Sequence, residues 1–143
     1  MSESISRALA GRVRKRAGDV CEYCHLPQSS QEARFHLDHI LPQSAGGRTT
    51  GSNLALACVT CSLKKAKRIR VPDPETGDSV PIFHPRRDRW ADHFEWARGW
   101  RLVGRTPTGR ATVSALGMNR PAVVAIRGLL GELGLLVEDD DKG

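Results

Sequence analysis

The four cysteines of this chain constrain its fold most, because they occur as two Cys-x-x-Cys pairs. Cys21 and Cys24 form the first pair, Cys58 and Cys61 form the second, and 33 residues separate the two pairs. One such knuckle presents two thiolates from a tight turn, so two knuckles supply the four tetrahedral ligands of a structural zinc ion. Disulfide and redox functions fit less well, since no apolar secretory segment is evident and a thioredoxin-like site uses a single pair. We therefore predict a structural Zn²⁺ held by all four cysteines.

The insertion between the two knuckles carries the residues with catalytic chemistry. The segment Phe35–Ile40 alternates apolar and polar residues, which predicts a short strand. In a strand, His36 and Asp38 share one face and His39 points to the other. Asp38 can then bind a divalent cation with His36 nearby, whereas His39 stays available as a base that activates water. Hydrolysis of a phosphodiester requires both functions.

The charge of the chain favours a polyanionic partner. Lys and Arg number 22 against 16 Asp and Glu, and four of the acidic residues lie together at positions 138–141. The remaining body is therefore strongly basic, and nucleic acid is the commonest polyanion. The longest apolar runs, Leu54–Val59 and Ala122–Ile126, are far shorter than the ~18 residues of a membrane span. We expect a soluble, cytoplasmic protein that binds DNA, or RNA, and no membrane.

The length of 143 residues predicts a single domain, 1–143, with several segments. We assign an N-terminal basic helix to residues 1–20, a core to 21–70, an extension to 81–136 and a disordered acidic tail to 137–143. The proline-containing segment Val71–Pro81 reads as a linker or turn between core and extension. The pattern further predicts helices over 3–16, 62–69 and 109–116, a hairpin centred on Gly99, and a C-terminal helix capped by Asn119.

Four segments resemble the HNH endonuclease motif: CEYC at 21–24, LDHILPQSAGG at 37–47, NLALAC at 53–58 and CSLKK at 61–65. The resemblance covers residues 21–69, about a third of the chain. It implies an α+β fold whose ββα-metal, treble-clef-like core is held together by the zinc site, with an N-terminal helix and a C-terminal hairpin-plus-helix extension. PRRDRWADHFEW, at 85–96, is similar to the extension of small stand-alone bacterial HNH proteins. The implied activity is metal-dependent hydrolysis of DNA with 5′-phosphate and 3′-hydroxyl products.

The resemblance also assigns roles to individual residues. His39 matches the general base and Asp38 the metal-binding acid that precedes it. His36 occupies a position that is acidic in some relatives and lies near the metal. Asn53 matches the asparagine that holds the loop and orients the base, and Lys65 matches a basic residue near the phosphate. The catalytic ion implied is Mg²⁺, or another divalent ion such as Mn²⁺ or Ni²⁺.

One position departs from the family pattern. The family has Asn or His directly after the last cysteine as a metal ligand, whereas this chain has Ser62, whose hydroxyl is a shorter and weaker ligand. A catalytically silent nucleic-acid-binding module with an eroded metal site is therefore the alternative function, and a zinc-held protein-interaction domain is a third. The basic residues Lys64, Lys67 and Arg68 are predicted to contact phosphates, which would position nucleic acid without reading its sequence.

Overall fold

The computed structural model describes residues 4–136, so the predicted acidic tail at 137–143 lies outside the described residues. This part of the chain is mixed α and β, with five α-helices and three two-stranded antiparallel sheets. None of its helices has the length and apolar character needed to cross a membrane. The helices are α1 (Arg7–Ala17), α2 (Val59–Lys65), α3 (Trp90–His93), α4 (Pro107–Ala115) and α5 (Pro121–Glu132), and the strands are β1 (His36–His39), β2 (Leu54–Ala57), β3 (Arg70–Pro72), β4 (Ser79–Pro81), β5 (Phe94–Ala97) and β6 (Arg101–Gly104).

The chain divides into two compact units. The first unit comprises the residues up to 69 together with His84–Arg87, and the second comprises Arg70–Phe83 together with the residues from 88 onward. The first unit contains α1, the β1–β2 sheet and α2, and thus every residue assigned to the predicted sites. The assignment of the whole chain to a single domain, with the segment bounds given above, stays a prediction.

In the first unit, α1 forms where the apolar spacing predicts a helix. It begins after Ser6, whose hydroxyl accepts a hydrogen bond from the Leu9 amide at 3.1 Å, and it ends at Gly18, which adopts a left-handed conformation with φ of 65°. Val13 is fully buried and anchors the inner face. Arg14 donates to the Phe35 carbonyl at 2.9 Å, just before β1. The helix is thus fixed to the strands that carry the site.

The β1–β2 sheet and α2 follow one another closely. β1 pairs antiparallel with β2, with His36 opposite Ala57 and His39 opposite Leu54. All of β2 is buried, and α2 begins two residues after it ends. The prediction of a helix over 62–69 was wrong in its bounds. Cys58 is the N-cap and its sulfur accepts the Cys61 amide at 3.4 Å, so the second knuckle itself forms the first turn of the helix.

In the second unit, the segment Val71–Pro81, predicted to be a linker or turn, is a turn between two short paired strands, β3 and β4. β3 and β4 pair through Val71 and Val80, and the prolines are tolerated because both strands of a two-stranded sheet are edges. Asp73 stabilises the turn, since the Arg110 guanidinium donates to both of its carboxylate oxygens at 3.1 and 2.7 Å. These hydrogen bonds lower the pKa of Asp73 to about 2.

The predicted hairpin around Gly99 is present as β5 and β6. Phe94 pairs with Gly104 at its open end, and Ala97 pairs with Arg101 next to the turn. The prediction that Asn119 caps the C-terminal helix was wrong, because Arg120 occupies the N-cap and no side chain caps it. Asn119 instead exchanges two hydrogen bonds with the Leu102 backbone, at 2.8 and 2.7 Å. The aromatic rings of the extension contact one another in series, Phe94 with Trp90, Trp90 with Trp96, and Trp96 with Trp100.

Candidate active site and zinc centre

The four cysteines form one buried cluster, as the sequence predicts. Their sulfur atoms all lie within 4.8 Å of one another, and the Cys24 and Cys58 sulfurs are 3.7 Å apart. A tetrahedral zinc ion with Zn–S bonds of ~2.3 Å separates its sulfur ligands by about 3.8 Å. In each knuckle the first sulfur accepts the amide of the second cysteine, at 3.5 Å for Cys21 and 3.4 Å for Cys58. The cluster is therefore compatible with a structural zinc ion.

The burial of the cluster bears on how its sulfurs ionise. Desolvation raises the pKa of the Cys21 thiol well above its ordinary value. Hydrogen bonds from the other cysteines lower the pKa of Cys58, and a zinc ion would stabilise all four thiolates as their protons leave.

Glu22 fastens the first knuckle to β2. Its carboxylate accepts the Leu56 amide at 2.8 Å, its own amide donates to the Leu56 carbonyl at 2.8 Å, and it forms an ion pair with Arg86. The knuckle thus behaves as an extension of the sheet that carries the candidate site.

A pocket of about 650 Å³ brings together most of the residues predicted to act on phosphate. Its walls include His36, Asp38 and His39 from β1, Ser62 from α2, and Lys67. Alternation along a strand predicts that His39 lies opposite the other two, and the pocket is lined by all four residues of β1, Leu37 included. The candidate base and the candidate metal ligands are therefore neighbours, as the hydrolytic chemistry requires.

Asp38 lies at the buried floor of the site with only 8% of its surface exposed. Its Oδ2 atom accepts a hydrogen bond from the Tyr23 hydroxyl at 3.1 Å and pairs with the Lys65 ammonium at 3.2 Å. Burial raises the pKa of Asp38, and the neighbouring ammonium opposes that shift. Burial also raises the pKa of Tyr23 well above its ordinary value, so this phenol remains a donor. Tyr23 was not predicted as a site residue, although it lies inside the CEYC motif.

A lysine that contacts a substrate phosphate is expected at the surface, but Lys65 is buried. Its side chain is fully buried, and its ammonium donates to the His39 carbonyl at 3.0 Å in addition to pairing with Asp38. In this arrangement Lys65 ties α2 to the end of β1 and neutralises the carboxylate. The contact between Lys65 and a substrate phosphate stays a prediction.

Replacing Lys65 with Met is expected to reduce the free energy of unfolding by about 3–5 kcal/mol, because Asp38 would remain buried without its partner. Lys64→Met is the matched control, since Lys64 is exposed on the same helix and its loss should change stability by about 0.5 kcal/mol or less. Chemical denaturation of the three proteins measures the difference. A Lys65→Met protein as stable as wild type but weaker in DNA binding would instead support the phosphate contact.

His36 and Ser62 form a polar pair beside Asp38. The His36 Nδ1 atom and the Ser62 hydroxyl are 2.9 Å apart, which joins the start of β1 to the first turns of α2. Both side chains line the same pocket as Asp38. A carboxylate, a hydroxyl and an imidazole can together hold a divalent cation, and imidazole adds affinity for the transition metals.

His39 is oriented by a residue that sequence analysis missed. The Nε2 atom of His39 lies 2.9 Å from the Thr49 hydroxyl, and the Gln43 amide donates to that hydroxyl at 3.5 Å. Thr49 is ten residues away in a Gly- and Ser-rich loop, and no local pattern distinguishes it from its neighbours. Its contact with the ring fixes the direction of the candidate base.

Asn53 holds the loop between β1 and β2 in shape. Its side-chain amide donates to the carbonyls of Leu41 and Arg48 at 3.0 and 2.9 Å, and its Oδ1 accepts the Leu41 amide at 2.9 Å. Gly47 is required at this crossing, because a Cβ there would lie 1.8 Å from the Leu41 carbonyl oxygen. The loop so held carries Thr49. An effect of Asn53 on His39 stays a prediction.

The predicted nucleic-acid contacts lie on and after α2. Lys64, Lys67 and Arg68 are all exposed, and Lys67 lines the pocket. Arg68 turns back to the Lys64 carbonyl. Their contact with phosphates stays a prediction, and only Lys67 lies directly at the site.

Comparison with known proteins finds one family model that matches a segment of the chain. Residues 21–68 match the family model described as HNH endonuclease, and this segment contains the cysteine cluster, the β1–β2 sheet and α2. Searches of curated proteins and of solved structures find no significant match. The HNH match therefore supports a nuclease-type activity for the segment in which the candidate residues converge.

Proposed function

We propose that this chain is a metal-dependent endonuclease that hydrolyses DNA phosphodiester bonds and leaves 5′-phosphate and 3′-hydroxyl ends. The observation that carries the proposal is the convergence of Asp38, His39 and Ser62 on one pocket within the segment that matches the HNH family. In this proposal β1, β2 and α2 form a ββα-metal core, and a zinc ion at the four cysteines holds that core together. Such a zinc site fits a reducing, cytoplasmic location.

Asp38, Ser62 and His36 are the residues that would hold the catalytic divalent ion. Asp38 offers a carboxylate, of which only Oδ2 is engaged by Tyr23 and Lys65 in the hydrogen bonds described. The bound cation supplies neutralisation of the charge that develops on the phosphate and on the 3′ leaving oxygen. The imidazole of His36 compensates for the weak hydroxyl of Ser62, where the family has Asn or His.

His39 takes a proton from the attacking water in this mechanism. A base must be directed at the water in the bound geometry, and the Thr49 hydroxyl at 2.9 Å fixes the ring through Nε2 in the free protein. The Lys65 ammonium holds the His39 carbonyl, so the backbone of the base is fixed as well. The ring, its loop partner and the buried ion pair thus act as one positioned unit.

Two substitutions test the proposed metal site. His36→Ala should raise the metal concentration needed for half-maximal cleavage by about 10–100-fold, because it removes an imidazole at or beside the ion. Ser62→Asn should hold or raise activity, because an amide oxygen is the stronger ligand. Ser114→Asn, on the exposed face of α4, is the control for the added amide. Identical metal dependence of His36→Ala and wild type would contradict the proposed ligand set.

The alternative function is a silent nucleic-acid-binding module. It is favoured by Ser62 at the ligand position and by the Lys65 ammonium, which already neutralises Asp38 at 3.2 Å. This alternative predicts DNA affinity that falls with salt concentration and no cleavage with any divalent ion.

A further inference from the structure

One face of α1 carries positive charge and no acidic residue. The helix sequence RALAGRVRKRA contains no Asp or Glu. At 3.6 residues per turn, Arg7, Arg12 and Lys15 fall on the same half of the helix, and all three are exposed. The small residues Ala8 and Gly11 lie between them. We call these five residues the α1 face.

The fold does not use the charges of the α1 face. Arg14 and Arg16, at the two borders of this face, donate to the backbone carbonyls of Phe35 and Leu54 at 2.9 and 2.7 Å. Within residues 4–136, no carboxylate forms an ion pair with Arg12 or Lys15. Like charges that lie close together repel one another and destabilise the folded state. A bound polyanion would reduce that repulsion.

The α1 face also includes two residues with little or no side chain. Ala8 and Gly11 present almost no side chain, and a Cβ added at Gly11 would meet nothing within 4 Å. The longer cations flank this low surface, since Arg12 and Lys15 are three residues apart and therefore neighbours along the helix. An extended charged backbone can lie across such a surface and contact the cations on it.

The start of α1 lies at the candidate active site. Ile5, just before the N-cap, lines the same pocket as His36, His39 and Ser62. The hydrogen bond from Arg14 to Phe35 then holds the helix against the residue that precedes β1. A strand whose phosphate enters the pocket would therefore have the beginning of α1 directly beside it.

We propose that the α1 face binds the sugar-phosphate backbone of duplex DNA next to the phosphate in the pocket. The inference rests on the proposed function, which places the scissile phosphate there. An 11-residue helix is about 16 Å long, which corresponds to about five base-pair steps of ~3.4 Å along the duplex axis, so α1 is long enough to contact more than one phosphate. Contacts of this kind position the duplex without selecting its sequence.

The test measures binding separately from cleavage. In a His39→Ala background, Arg12→Gln with Lys15→Gln removes two charges but keeps good helix formers. The matched control is Arg98→Gln with Arg101→Gln, two exposed cations of the second unit. The measurement is the affinity for a fluorescent duplex as salt rises from about 50 to 200 mM, where the slope of log K against log salt should fall by about 1.8 for two lost contacts.

The expected result is that the parent loses about tenfold more affinity across that salt range than the α1 variant does. The control pair should leave the slope unchanged. Arg7→Gln with Lys15→Gln is a second α1 variant, and helicity and zinc content verify that each variant is folded. An unchanged slope in both folded α1 variants, or an equal fall in the control, would overturn the inference.

The inference and the proposed function fail in different ways. Cleavage by the protein with an intact His39, together with an α1-independent slope, overturns the inference and leaves the endonuclease standing. An α1-dependent slope without cleavage supports the inference and overturns the endonuclease. Absence of duplex binding at low salt overturns the inference directly.

Discussion

Removal of zinc from the cysteine cluster is expected to unfold the first unit of this protein. Structural zinc in small modules contributes about 10–16 kcal/mol of folding free energy, more than the net stability of most domains. The elements that it joins are small, since β1 and β2 have four residues each and α2 has seven. Without the metal, the knuckle at Cys21 and Cys24 would be joined to α2 only through weaker contacts such as those of Tyr23 and Lys65 with Asp38.

The aromatic residues allow the unfolding of the two units to be followed separately. Tyr23, the single tyrosine, is fully buried in the first unit, whereas the three tryptophans all belong to the second. Chelation should abolish the near-ultraviolet signal of Tyr23 and lower the far-ultraviolet helical signal, and zinc addition should restore both. Cys58→Ser should behave like the chelated protein. Spectra that stay unchanged after verified zinc removal would show that the cluster does not hold the fold.

Replacement of His39 by Ala is expected to lower the single-turnover rate of DNA cleavage by about 10²–10⁴-fold, the usual contribution of a general base. Affinity for the duplex should remain, because His39 acts on water and the proposed phosphate contacts come from other residues. The measurement is single-turnover cleavage of an end-labelled duplex, with binding followed in parallel. His93→Ala, in the second unit, is the control and should cleave at the wild-type rate. Loss of binding in step with cleavage would assign His39 to the fold or to substrate contact instead.

The centre of the site is predictable from sequence because its signals are local. The two Cys-x-x-Cys knuckles each occupy one turn, and the alternation around Asp38 marks β1 without any long-range information. Pairing of β1 with β2 is implied only by the HNH resemblance, because a short apolar run such as Leu54–Val59 does not by itself distinguish a strand from a buried helix. These local patterns suffice to bring the cysteines together and to place His36 and His39 on one strand.

The hydrogen bonds that orient the site are not predictable in the same way. Lys65 meets Asp38 and the His39 carbonyl from 26 or 27 positions away, and this contact depends on where α2 begins. The predicted start at Ser62 is three residues later than the observed one, because cysteine is not among the residue types that usually cap a helix. Thr49 reaches His39 through the course of a loop that Asn53 and Gly47 hold, and loop paths carry no periodic signal.

Two features of the second unit, the strands around Asp73 and the role of Asn119, differ from the sequence-based predictions for a similar physical reason. Prolines at 72, 74 and 81 suggest a linker or turn without strands, but a two-stranded hairpin has free edges that accept them, and the ion pair of Asp73 with Arg110 stabilises the turn. Asn119 has the residue type of a cap, yet the backbone of Leu102 offers it two hydrogen bonds instead of one. Tertiary contacts outweighed local preference at both places.

Nicking of supercoiled plasmid DNA by wild type and His39→Ala tests the central claim most directly, with Mg²⁺, Mn²⁺ and Ni²⁺ assayed separately. The account predicts that wild type converts supercoiled plasmid to nicked circles with at least one of these ions, that chelation stops the reaction, and that the variant is inactive at equal concentration. Equal nicking by both proteins would contradict the role of His39. No nicking by either protein, with zinc bound and DNA affinity retained, would contradict the endonuclease and favour the silent binding module.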